Sequence, residues 1–459
     1  MLETSQTDRL ATTPLATTPL ATAAPSRWHT LTQTLRHNRL LSGSALFFIS
    51  TTIVNGGNYL FNLLLGRWLG PAVFADVSII ITLFLLLTFI TAGFQQTAAK
   101  FAAMYSASNN DNPAAKLLAL RRWLNRRSWL VGVAVCLVVG GGAPFWQRFF
   151  HTASPWIFVI FAIGLPFYFV QGIDRGLLQG QMRFGTLAVS YQAEMWVRLL
   201  IGLLLVLAGW AAAGAIVGLT LSILATWFVA DYALRRQQAA QIAPTSLPQL
   251  GAADRAAIWR FALPVLMVET SLILINNSDV LIVKRFFDSV AAGHYAALAL
   301  IGRIVFFGTW SVVITMFPLV AQKHQQGEAH RPLLWMALSM VFGVSVLIIG
   351  ATVLMPEFIV RMLFGADYLG IAPLLWRYAV ATALFALANV LINYHLALGN
   401  RMGSALALLA GVAQVVVLTL FHATLNQVVT LQIVLMAGLL TTLLVWDLLF
   451  ARTSVAKHG

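Results

Sequence analysis

The sequence predicts an all-α polytopic membrane protein, with about 12 transmembrane helices in two pseudo-symmetric six-helix lobes around a central cavity. Three observations predict it. Of the 459 residues 59% are hydrophobic, only 10% are charged, and apolar runs of bilayer length follow one another from residue 43 to 451. A soluble domain carries about 25% charged residues, whereas a spanning helix needs ~20 mostly apolar ones.

In chain order, residues 1–40 read as a disordered cytoplasmic tail, because ATTPLATTPLATAAP at 11–25 is a Thr/Pro/Ala repeat that cannot build a core. The spans read as 43–68, 73–103, 128–146, 156–171, 184–210 and 212–234, then 258–286, 291–321, 332–354, 371–398, 402–421 and 428–451. A linker at 237–256, containing Pro244, Pro248 and Gly251, separates a lobe at 41–236 from one at 257–451, and 452–459 form a short tail. Each lobe starts on the same side and crosses six times, so the repeat is parallel, about an axis along the membrane normal. Asn55 and Asn58 then align with Asn276 and Asp279, and the turn at 70–76 with 291–297.

Charge sets the orientation. The net charge is +14. Of the 29 Lys and Arg, 21 fall in the tails and loops on the side of the termini, five on the other side and three within spans. By the positive-inside rule both termini are cytoplasmic, and the charge reports topology, not a nucleic-acid partner. Cys136 is the one cysteine, so the chain has no internal disulfide and no cysteine-rich metal site. No metal motif or cofactor motif is present, and GxxxxGK[ST] is missing. The loops are too short for the external catalytic segment of a glycan polymerase or ligase, so an enzyme is not expected.

Charged side chains are costly at bilayer depth, ~2.5 kcal/mol or more, and therefore mark the bundle interior. Span one carries Thr51, Asn55, Asn58 and Asn62 on one narrow face. Span five carries Glu194 and Arg198, one turn apart. Span seven carries Glu269, Asn276, Asn277 and Asp279, and span eight carries Arg303, whose side chain leans toward the level of Asp279. Asp279 and Arg303 are expected to pair.

These residues sit in NYLFNLLLGRWLGPAVFADVSIIITL, FVQGIDRGLLQGQMRFGTLAVS, NNSDVLIVKRFFDSVAAGHYAALALIGRI and MFPLVAQKHQ. Their order and spacing resemble the polysaccharide-transporter branch of the multidrug/oligosaccharidyl-lipid/polysaccharide exporter superfamily. The resemblance implies a bacterial inner-membrane flippase for an undecaprenyl-pyrophosphate-linked oligosaccharide, serving O-antigen, capsule or exopolysaccharide assembly by alternating access. It implies walls formed by spans 1, 2, 7 and 8, with Gly70 and Pro71 at the first outer turn and Asp279, Lys284 and Arg303 at cavity or gating positions. For such a cargo, Arg198 and Arg303 offer cations to the head group. Asn55, Asn58, Asn62, Gln95, Gln96, Asn276 and Asn277 offer hydrogen bonds to sugars. Glu194 accompanies them in the cavity, while Glu269, Asp279 and Lys284 are candidates for gating or for coupling to H⁺ or Na⁺. A polysaccharide polymerase and a chain-length regulator are the protein partners this function implies. The rival readings are a drug or cation antiporter of the same superfamily, a lipid-II-type flippase and a membrane glycan polymerase or ligase.

Overall fold

The computed structural model describes residues 27–107, 113–239, 249–400 and 402–455. The helices, in chain order, are α1 (Arg27–Ala107), α2 (Pro113–Cys136), α3 (Ala143–Phe150), α4 (Trp156–Gly180), α5 (Phe184–Leu205), α6 (Ala211–Ala239) and α7 (Ala252–Phe286). After these come α8 (Ser289–Gly302), α9 (Ile304–Gln325), α10 (Arg331–Leu354), α11 (Pro356–Leu363), α12 (Ala372–Ala397), α13 (Met402–Leu420) and α14 (Leu425–Val455). Among the described residues there is no strand.

These helices make twelve crossings. α1 has 81 residues, about 120 Å if straight against a ~30 Å hydrocarbon core. It reverses at Gly70, whose φ of 71° and ψ of 170° suit glycine alone. The reversal is visible at Tyr191, whose ring packs on Phe47 of the first arm while its hydroxyl accepts from Gln95 of the second. α5 and α6 form a second tight hairpin through Gly209 (φ 90°) and Ala211 (φ 44°), which brings Gly202 and Gly218 into backbone contact. Among the described residues, nine helical stretches have the length and apolarity of a span, or ten with α2 and α3, which meet at a 61° bend. Two of the ten contain these hairpins and cross twice, which gives twelve.

Helix packing repeats between the lobes. α2 packs on α4, α4 on α6 and α5 along α1; correspondingly α10 packs on α12, α12 on α14 and α13 along α7. Gly172, Gly176 and Gly180 of α4 lie against the backbone of Thr91, Gln95 and Ala99 on α1, the small-residue spacing that lets membrane helices approach closely. This corrects the sequence reading, which ends the fourth span at residue 171. Asp174 and Arg175 do not mark a loop there; they are buried in α4 and ion-paired.

Four boundaries also move. α1 starts at Arg27, inside the expected tail, where Trp28, Leu31 and Leu35 recur at helical spacing. α6 ends at Ala239 and α7 starts at Ala252, both within the expected linker, and α14 runs on to Val455. Residues 1–26 of the tail, 240–248 of the linker and 456–459 lie outside the described residues.

The lobes meet along the second arm of α1 and α7, from Asp76 and Lys284 near the Gly70 turn to Phe101 and Phe261 at the opposite, basic end. Around the Gly70 end α8 joins this contact, with Gly293 so close to the Pro71 carbonyl that a Cβ there would overlap it. Toward the basic end α9 packs on α10 and α12 rather than along α1. Leu46, Phe48, Ile49 and Ile53 of the first arm are exposed. The bundle is thus closed at the Gly70 end.

Candidate functional site

In the first lobe, Glu194 and Arg198 are paired as the spacing predicts, at 2.6 Å. Arg175 of α4 completes the group, donating to the other Glu194 oxygen at 2.8 Å and to the Ser190 carbonyl at 3.1 Å. Its guanidinium also stacks 3.7 Å from the Tyr191 ring centroid, a contact that holds the fork in place. Arg198 reaches across to α1 and donates to Asn58 Oδ1 at 3.1 Å. Asn62 donates to the Asn58 carbonyl at 2.8 Å, and Asn55 is exposed. Two guanidiniums surround one carboxylate, so the cluster keeps one excess positive charge. Gln95 lies beside it, bonded to Tyr191 at 3.2 Å and Gln179 at 3.1 Å.

In the second lobe, Asp279 is buried and accepts from three groups. Tyr295 and Tyr378 donate to Oδ2 at 3.0 and 2.8 Å, and Arg303 donates to Oδ1 at 3.4 Å. The expected Asp279–Arg303 pair is therefore present, with two tyrosines added. Arg303 sits where the eighth crossing breaks between α8 and α9. Thr382 of α12 donates to the Gly302 carbonyl at this break, at 3.0 Å, which satisfies one of the backbone groups a broken helix exposes. Arg303, Tyr378, Asn276, Gln414 and Gln432 border a cavity of about 20 Å³, room for roughly one water molecule and far too small for a glycan head group. Asn276 and Asn277 donate to carbonyls of their own helix, at Leu272 (2.8 Å) and Ile273 (3.2 Å). Gln414 of α13 bonds Ser278 at 3.0 Å, the positional counterpart of Arg198 of α5 on Asn58.

Two further candidates bridge the lobes. Gln96 donates to Glu269 at 2.7 Å, between the second arm of α1 and α7. Lys284 is buried and donates to Asp76 Oδ1 at 2.7 Å, while Asp76 Oδ2 accepts from the Ala153 backbone N–H at 2.9 Å. Lys284 is thus not an outer-loop charge, as its position in the sequence implies, but one half of an interlobe ion pair.

The predicted residues therefore form two intralobe clusters and two interlobe contacts instead of one shared cavity surface. Sequence reading does not flag Asp76, Arg175, Tyr295, Tyr378 or Gln432. Asp76 carried a signal, as a lone acid in the apolar run AVFADVSIII. The tyrosines carried none, since a tyrosine in an apolar span fits a packed core equally well.

Residues 40–324 match the model of a family described as polysaccharide biosynthesis protein. No curated protein matches the chain in sequence. Among solved structures, an inward-facing multidrug resistance MATE family transporter of the MOP superfamily superposes with a TM-score of 0.71 at 13% identity, over 87% of this chain and 94% of that one. The lipid II flippase MurJ in an inward closed conformation gives 0.69 at 15%, over 88% and 87%. An outward-facing MATE family transporter gives 0.62 at 13%, over 90% and 96%. At such identities the agreement is one of fold, the fold that the MATE family transporters and the lipid II flippase share. With most of its first lobe and the start of its second inside the family's bounds, this chain belongs to the polysaccharide biosynthesis protein family.

Proposed function

We propose that this transporter flips an undecaprenyl-pyrophosphate-linked oligosaccharide from the cytoplasmic to the outer leaflet of a bacterial inner membrane, for O-antigen, capsule or exopolysaccharide assembly. The supporting observation is the polar face of α1, backed by the Arg175–Glu194–Arg198 cluster with its excess positive charge. An exposed asparagine at this depth is costly against lipid and favourable against water or a sugar. The pyrophosphate is drawn by charge-assisted hydrogen bonds to guanidinium forks, while the lipid tail stays in the bilayer. Parting of the Gly70 end, with closure of the basic end, then exposes the head group on the other side.

With Arg175 and Lys284 buried in the bundle, the remaining bias of basic residues, 20 to 4, supports a cytoplasmic basic end under the positive-inside rule. The membrane potential then favours outward movement of the anion, at ~2.3 kcal/mol per charge per 100 mV. The test is protection of a labelled lipid-linked oligosaccharide in inverted vesicles. Label that faces the bath should become inaccessible at a rate that depends on the protein. Unchanged sidedness refutes the flippase reading.

One observation favours a second reading, a cation antiporter. Glu269 lies at the lobe seam against a neutral amide, Gln96, with no cation in ion-pair range among the described residues. Efflux of a lipophilic cation that requires Glu269, with no effect on glycan sidedness, would select it.

A further inference from the structure

At the basic end Trp123 of α2 meets Trp259 of α7 edge to face, with ring centroids 6.4 Å apart. This contact joins the two lobes. Arg127 leans back toward the start of α2, as helical side chains do. Its guanidinium lies 3.6 Å from the Trp123 ring centroid, and Nη1 donates to the Trp123 carbonyl at 3.2 Å. The fork is therefore held in place, with Arg126 and Arg255 as its like-charged neighbours. Arg255 stands one turn before Trp259, and both Arg126 and Arg255 are exposed. Among the described residues none of the three arginines has a carboxylate in ion-pair range. Next to this charge, Trp259, Leu263 and Leu130 are 51%, 62% and 64% exposed.

Three neighbouring cations, an aromatic pair and exposed leucines follow one another in the order of a phospholipid's phosphate, glycerol region and acyl chains. We infer that Arg126, Arg127 and Arg255 bind the phosphate of an anionic phospholipid across the lobe seam, with its chains along Trp259, Leu263 and Leu130. Water alone would solvate an isolated arginine, but three together at an apolar edge are complementary to an anion anchored in the bilayer. Bound there, the lipid ties α2 to α7 and favours the conformation in which the two tryptophans touch.

The full chain, purified from membranes, is titrated with phosphatidylglycerol and with phosphatidylcholine, and bound lipids are counted by native mass spectrometry. Phosphatidylglycerol should be preferred. Arg126→Gln/Arg127→Gln/Arg255→Gln should weaken it ~100-fold, at about one kcal/mol per cation, and Arg255→Gln alone ~5-fold. The triple Arg→Lys variant should keep the preference, and Arg148→Gln at the opposite end should not alter it. Equal binding of both lipids, or a triple Gln variant that still prefers phosphatidylglycerol, overturns the site. Displacement of the lipid by inorganic phosphate overturns its assignment to a membrane-anchored anion. None of these readouts depends on whether the protein flips a glycan.

Discussion

The interlobe pair Asp76–Lys284 makes the conformational equilibrium accessible to a charge deletion. Both side chains are nearly sealed, at 6% and 2% exposure, and their charges are 2.7 Å apart. An intact buried pair contributes little net stability, but removing one partner leaves an uncompensated buried charge at a cost of about 3–5 kcal/mol. That cost falls only on the conformation closed at the Gly70 end, because parting the lobes there returns the remaining charge to water. Lys284→Met should fall at the lower end, since Asp76 keeps the Ala153 N–H at 2.9 Å. Asp76→Asn leaves Lys284 with Ser289 at 3.4 Å and should cost more. Even about 3 kcal/mol shifts the closed-to-open ratio by more than 100-fold. Asp76→Asn/Lys284→Met removes both charges and should return the ratio to within about tenfold of wild type. The single native cysteine, Cys136, makes the measurement practical. In a Cys136→Ala background, spin labels at the exposed positions Arg148 and Glu357 report the lobe separation at the Gly70 end by double electron–electron resonance. Single variants with wild-type distance distributions, or a double variant as open as the worse single one, would refute the reasoning.

A steric perturbation of the same interface should act in the same direction. Gly293→Ala places a Cβ into the Pro71 carbonyl, so the same labels should report a wider Gly70 end without any change in charge. Glu194→Gln strips the carboxylate from between Arg175 and Arg198 and should lower the thermal midpoint in detergent as a loss of about 3–5 kcal/mol does. Arg235→Gln, which removes a largely exposed partner of Asp231, should change stability by less than about 1 kcal/mol. At the basic end of the second lobe, burial, with His324 and Arg331 close by, holds the His330 imidazole below its ordinary 6.5. The folded chain then binds fewer protons than the unfolded one, so this stability is present above pH ~6.5 and is lost as the pH falls through the depressed value. Thermal midpoints should decline on acidification, and His330→Gln should flatten the decline.

Membership in the membrane, the twelve crossings and the six-and-six division were legible in the sequence because lipid penalises polar backbone and charge over whole windows of residues. The Glu194–Arg198 and Asp279–Arg303 pairs were legible because spacing on a helix and the lean of side chains fix depth. What could not be read is which helix brings the third partner. Arg175 looked like a loop residue because its span is laced with glycines. Those glycines pack against Thr91, Gln95 and Ala99, contacts about 80 residues away in sequence that no local pattern encodes. Asn276 and Asn277 looked like cavity donors, yet their amides are engaged with their own helix carbonyls, which is how an asparagine inside a helix commonly satisfies itself.

The charged clusters of the two lobes differ in charge and do not occupy matching helices, since Glu194 lies on α5 and Asp279 on α7. Around Glu194 two arginines share one carboxylate, whereas around Asp279 one arginine and two tyrosine hydroxyls serve one carboxylate. An anion approaching the first cluster finds a cation in excess. At the second it finds a group already near neutrality, walled around a cavity the size of a water molecule. The second cluster instead lies on the break between α8, which stays against α1, and α9, which leaves it for α10 and α12. Asp279 holds Arg303 at that junction, and Thr382 holds the Gly302 carbonyl beside it. On the proposed function, one lobe would offer charge to a passing head group, while the other fastens the point at which a wall helix changes partners. Asp279→Asn should accordingly disturb lobe geometry before it disturbs affinity for an anion, and Arg198→Gln should do the reverse.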